Sequence, residues 1–272
     1  MHPIRMFLPC ADIACYLMQV LTLPAKRGFQ WLVEGMAIFR LRPALLTFLV
    51  LGYWLIMVFI SMIPYLGQIV GFLLIPAFSV SLMNACRIID KKEVPPPQLL
   101  FSGFFRNRQT MLTLGTIYVV STLIALGGAS LFDGGQLFRM IVFSEAMNTD
   151  ALASTPVQIA AQLTAVFLIP VVMAFWFAPV LAAWHDVSAG KSLFFSLVAC
   201  LRNWRAFLVY ILTISTICVF VPRVIGSTLL ATGASALSRV FPVMFSLILL
   251  PIIYASFYVS YRDVFAKQRD EA

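Results

Sequence analysis

The stretch "LIPAFSVSLMNACRIID" (Leu74–Asp90) is apolar for most of its length and closes with a base and an acid. Two later stretches follow the same order, "LIPVVMAFWFAPVLAAWHD" (Leu168–Asp186) and "LLPIIYASFYVSYRD" (Leu249–Asp263). Each sets a proline behind aliphatic residues, continues through small and aromatic residues, and ends on Asp. With their flanks, these stretches are long enough to cross a bilayer, since about 20 apolar helical residues span a hydrocarbon core of about 30 Å. The apolar runs are continuous rather than alternating, and a lone helix, unlike a lone strand, satisfies its own backbone in lipid. The reading is helical and membrane-embedded.

Composition agrees. The 272 residues are 61% apolar and 11% charged, whereas a soluble domain carries about 25% charged residues. The expected fold class is therefore an all-α membrane protein with six transmembrane helices, near 43–64, 65–86, 110–131, 157–183, 205–222 and 241–261. "IPYLGQ" (63–68) reads as a tight turn joining the first two spans into a hairpin. Two longer connections are expected on the same side. The first, 132–156, contains an amphipathic turn or two, and the second, 222–240, is rich in Gly, Ser and Ala.

Charge sets the orientation. On this assignment 16 of the 19 Lys and Arg residues fall on one side of the membrane, and only Arg139, Arg223 and Arg239 on the other. The excess of Lys and Arg marks the cytoplasmic face, so both termini are expected there. The net charge of +8 is spread over juxtamembrane segments, where anionic headgroups account for it. No zinc-finger, RNA-binding or helix-turn-helix signature accompanies it, so nucleic acid is not an expected partner.

Ahead of the odd-numbered spans lie "RGFQWLVEGMAIFRLRP" (Arg27–Pro43), "QLLFSGFFRNRQ" (Gln98–Gln109) and "KSLFFSLVACLRNWR" (Lys191–Arg205). All are aromatic-rich and close on paired bases: Arg40 and Arg42, Arg106 and Arg108, Arg202 and Arg205. A helix of this kind lies in the headgroup plane, with aromatics in the acyl boundary and bases toward phosphates. These six arginines are the candidate headgroup-binding residues. The unit is thus an interfacial helix, a span, an outer connection and a second span ending in Asp. It is written three times in parallel, over about 26–90, 98–186 and 191–263. Residues 1–25 read as an N-terminal extension rather than a seventh span, 264–272 as a cytoplasmic tail, and "EVPPPQ" (93–98) as a stiff connector.

"LPAKRGFQWLVEGMAIFR" (Leu23–Arg40), followed by a hairpin and the LIP pattern, resembles a family of uncharacterised proteobacterial inner-membrane proteins, prominent in the beta subdivision. The likeness runs over about 23–265 and is carried best by Arg27-Gly28-Phe29-Gln30-Trp31 and Glu34-Gly35. The six-span layout is also distantly similar to the membrane domain fused to some glycerophosphodiesterases. Both resemblances imply location and topology, and neither supplies catalytic residues.

Chemistry is sparse. No ionisable residue lies deep in the expected spans, and Gln68, Asn84, Gln158 and Gln162 sit near span ends; buried carboxylates would mark a coupled transporter. No Walker loop, HExxH or nucleophile elbow is present. Cys10, Cys15, Cys86, Cys200 and Cys218 lack metal spacing, and His185 beside Asp186 has no spaced second ligand, so neither a metal nor a cofactor is expected. Asp90, Asp186 and Asp263 are the most patterned acids, and with Glu34 they are expected to form an interfacial ion-pair set. The expected function is a non-enzymatic inner-membrane protein that engages anionic lipid headgroups or envelope components. A transport or channel component, or an accessory subunit of a membrane complex, is the alternative. A protein partner or a second copy in the membrane is compatible with both.

Overall fold

A computed structural model describes residues 20–63 and 66–265. Residues 1–19 of the expected extension, the Pro64–Tyr65 centre of the expected turn and residues 266–272 of the tail lie outside the described residues, as do Arg5, Lys267, Arg269, Cys10 and Cys15. Among the described residues every regular element is helical: α1 (Arg27–Leu41), α2 (Pro43–Ser61), α3 (Gly67–Asp90), a 3-10 helix (Pro97–Phe104), α4 (Arg108–Asp133), α5 (Gln136–Phe143), α6 (Thr149–Leu152), α7 (Thr155–His185), α8 (Ala189–Arg202), α9 (Trp204–Ala231) and α10 (Ser235–Phe265). Six of them, α2, α3, α4, α7, α9 and α10, are long and apolar enough to cross a membrane.

Local chemistry sets the breaks. Pro43 and Pro97 open their helices at the first turn, where the missing N–H has no helical partner to lose. Asp133 closes α4 and accepts hydrogen bonds from the Gly135 and Leu137 N–H groups at 2.8 and 2.7 Å, which starts α5. Prolines inside α3, α7, α9 and α10 leave the helices continuous.

Two boundaries differ from the sequence reading. The expected loop 222–240 is almost entirely helical, because α9 runs through Pro222 to Ala231 and α10 begins at Ser235. Residues 232–234 alone separate the two helices, and the Gly233 and Ala234 N–H groups bond back to the Leu230 and Leu229 carbonyls at 3.1 and 2.8 Å. The second interfacial stretch is a 3-10 turn ending at Phe104, not a helix reaching Gln109; Asn107 then takes a left-handed conformation (φ 47°) before α4 begins. Arg108 and Arg205 accordingly belong to the first turns of α4 and α9. Each arginine pair straddles the junction between a short element and the span that follows.

The packing of the short elements is the least expected feature. α1 buries the stripe Gly28, Trp31, Leu32, Gly35 and Ile38 against α9 and α10, far more than against the hairpin that follows it. Trp31 meets Phe207 and Tyr210 of α9, and a methyl group on Gly35 would stand 2.6 Å from the Ser256 nitrogen of α10. The 3-10 helix presses on α3, where Gly103 donates its N–H to Ser81 Oγ at 2.9 Å. α8 seats on α7, and Ser196 Oγ accepts the Phe177 N–H and donates to the Met173 carbonyl, both at 2.8 Å. The 3-10 helix and α8 are thus each held by the second span of the preceding hairpin, and α1 is held by the last. The ring closes.

The main core sits at this end, where Trp31, Phe177, Tyr210, Tyr258 and Tyr261 join side chains from α3 and α8. α9, by contrast, buries only Ala206, Phe207 and Tyr210 near its start. The remainder of its length offers apolar side chains to the surroundings.

Candidate functional site

The C-terminal ends of α3, α7 and α10 meet the three short elements at one end of the bundle, and the polar side chains of interest collect there. A first cluster joins α1, α3 and α10. Asp263 accepts hydrogen bonds from Arg27 Nε at 2.7 Å and Trp31 Nε1 at 2.9 Å, and Arg27 Nη2 pairs with the same oxygen. Arg27 reaches on to Glu34 at 3.0 Å. Glu34 then pairs with Arg262 at 2.7 Å, and Arg262 with Asp90 at 3.1 Å. Tyr258 donates its hydroxyl to Asp90 at 3.0 Å. The charges alternate along this chain of five, so each cation sits between two anions. Partial burial works against the Arg27 charge, but Asp263 and Glu34 outweigh it and hold the guanidinium protonated above its ordinary range. All three carboxylates pair with arginines, so the cluster ties α1 to α3 and α10.

A second cluster surrounds an open cleft of about 640 Å³ between the ends of α3 and α7 and the 3-10 helix. Trp184 Nε1–H donates to Asn84 Oδ1 at 2.8 Å, and Asn84 Nδ2–H donates to Ser102 Oγ at 2.9 Å. The Arg87 guanidinium lies 4.7 Å over the Trp184 ring. Across the cleft, Arg106 pairs with Asp186 at 3.1 Å, and Asn107 donates to the Ala182 carbonyl at 3.2 Å. Arg106 and Asp186 are 59% and 65% exposed, and so open a pair contributes about 0–1 kcal/mol. Asn107 and Asp186, on opposite walls, both hold left-handed backbones (φ 47° and 51°), a region that Asn and Asp tolerate best.

The named candidates separate accordingly. Asp90, Asp263 and Glu34 come together in the first cluster, while Asp186 stands apart with Arg106. Glu34 pairs with Arg27 and Arg262 rather than Arg40. His185 bonds Tyr261 through Nε2 at 2.8 Å, and among the described residues no group of three or more His, Cys, Asp or Glu could hold a metal ion. Arg40, Arg42, Arg106, Arg108, Arg202 and Arg205 are all exposed, and among the described residues only Arg106 of these six makes an ion pair. Arg108 and Arg205 lie 5.5 Å over Phe105 and Trp204, and Arg202 reaches Thr22 at 3.4 Å. Cleft members such as Asn84, Arg87 and Ser102 form no motif in the chain. Their only trace is Asn84 three residues before Arg87, one helical face of α3.

A probable inner membrane protein of Burkholderia thailandensis is 37% identical to this chain over 261 residues, covering 94% of this chain and 97% of that protein. The chain belongs to this family. The match runs over nearly the whole of both chains. No family model and no solved structure matches the chain. With six apolar helices of spanning length, this member is a multi-pass inner-membrane protein.

Proposed function

We propose that the protein is a non-enzymatic inner-membrane component that engages anionic lipid headgroups on the cytoplasmic side, with both termini on that side. One observation carries the reading. Six exposed arginines stand at the three junctions where a short aromatic element turns into a span, and five of them have no carboxylate partner among the described residues. Exposed guanidiniums at such a level attract phosphate oxygens, each basic residue near the surface being worth about 1 kcal/mol. Phe105 and Trp204, more than half exposed beside Arg108 and Arg205, suit the boundary between headgroup and acyl chain. In this reading the three short elements are copies of one interfacial device, each followed by a hairpin.

The test is extraction of the protein within its native lipid annulus and mass spectrometry of what it retains. Enrichment of anionic lipid over the bulk membrane, lost when Arg42, Arg108 and Arg205 are changed together to Gln, is the expected result. Bulk lipid composition around the wild-type protein overturns the reading, and a stoichiometric protein partner with only bulk lipid makes the protein an accessory subunit.

A further inference from the structure

We infer that the cleft between the ends of α3 and α7 and the 97–104 helix is a binding site for a phosphate group on an anionic ligand. The inference rests on the headgroup reading above and gives it one defined location. The cleft holds about 640 Å³, within the roughly 300–1,000 Å³ typical of ligand sites. Arg87 is its principal donor. Its guanidinium makes no hydrogen bond or ion pair among the described residues and is held only by the Trp184 face, 4.7 Å away. A cation–π contact restrains the group without spending its planar set of N–H donors. Trp184 is itself fixed by Asn84, and Asn84 by Ser102, so the donor stands on a frame assembled in advance.

Arg106 supplies the second guanidinium. It is occupied by Asp186, but the pair is mostly exposed, so a phosphate entering the cleft competes with a weakly held carboxylate. The lining charge, Arg87 and Arg106 against Asp186, leaves one positive charge for an anion to neutralise. The start of α4 at Arg108 borders the cleft through Asn107, and the first amides of a helix lack intrahelical partners and favour negative charge. Two separate guanidiniums and the Ser102 hydroxyl suit several oxygens around one centre, the arrangement a phosphate offers. The phosphate comes either from a lipid headgroup at the membrane surface or from a free phosphate compound.

The full-length protein is reconstituted in phosphatidylcholine nanodiscs carrying a minor fraction of phosphatidylglycerol, and retained lipid is counted by native mass spectrometry. Wild type retains phosphatidylglycerol selectively, and Arg87→Gln and Arg106→Gln each weaken that retention about tenfold. Asp186→Asn strengthens it severalfold, because Arg106 is released. A purely structural pair would make the Arg106 and Asp186 variants move in the same direction, and that result overturns the site. Arg87→Lys, which keeps the charge and loses the fork, falls between wild type and Arg87→Gln. Displacement of the lipid by millimolar inorganic phosphate assigns the cleft to a free phosphate ligand, and resistance to it assigns the cleft to the lipid. Unchanged retention in Arg87→Gln and Arg106→Gln, with loss in a variant changing Arg42, Arg108 and Arg205, removes the cleft and leaves the broader reading standing. No preference for phosphatidylglycerol in the wild type removes both.

Discussion

At Gly103 the absence of a side chain is a packing requirement: an added methyl would stand 2.0 Å from the Ala77 carbonyl of α3. Backbone cannot yield as a flexible side chain can, so Gly103→Ala is expected to cost about 1–3 kcal/mol, visible as a lower unfolding midpoint in detergent. Arg262 carries a different burden. Replacing it with Met leaves Glu34 and Asp90 without their shared cation. Arg262 is 37% exposed, which reduces the loss to about 1–2 kcal/mol, and restoring Arg262 in an Asp90→Asn background should recover only part of it. Cys200 offers a pH test. Burial raises its thiol pKa to about 12 despite the opposing Ser196 contact, so the thiolate fraction stays negligible between about pH 7 and 9. Maleimide labelling of Cys200 should stay near zero over that range and become complete only on unfolding.

Among the elements, α7 best shows what the sequence holds and what it hides. Its apolar length, its prolines and its closing His185-Asp186 are read directly, and they fix a membrane helix correctly. Nothing local reveals that Ser196, on another helix, bonds both the Phe177 N–H and the Met173 carbonyl, four residues apart along α7. Ser196→Ala removes both bonds without adding bulk, and it is expected to lose about 1–3 kcal/mol in thermal or denaturant unfolding. The same division explains the rest. Spans are legible because bilayer thickness forces long apolar runs. The 222–240 segment is misread because Gly, Ser and Pro mark loops by local propensity, a weak prior that the continuous helices on either side of residues 232–234 override. Asp90, Asp186 and Asp263 could be named from their position after each LIP stretch, although only two of them meet in one cluster. Their partners could not be ranked, since Arg27 and Asp263 are 236 residues apart. Arg87 and Asn84 could not be joined to Ser102 and Trp184 without knowing that the 97–104 turn folds back on α3.

Taken whole, the fold joins the segment ahead of α1 to the end of α10. The Leu21 N–H donates to the Val264 carbonyl at 3.1 Å, and Asn203 holds the Leu23 N–H and the Leu21 carbonyl, both at 2.8 Å. A Leu21→Cys, Val264→Cys pair in a background lacking other cysteines should therefore cross-link with a short bifunctional reagent, and a pair joining Leu21 to position 232 should not. Closure of this kind has a consequence for biosynthesis. α1 leaves the ribosome ahead of all six spans, yet its seat is made by α9 and α10, the last of them. Until they arrive, Trp31 has no aromatic neighbours and Arg27 no Asp263. A chain that stops after α8 lacks Phe207, Tyr210 and Asp263, so α1 can take its seat only once the final hairpin is present.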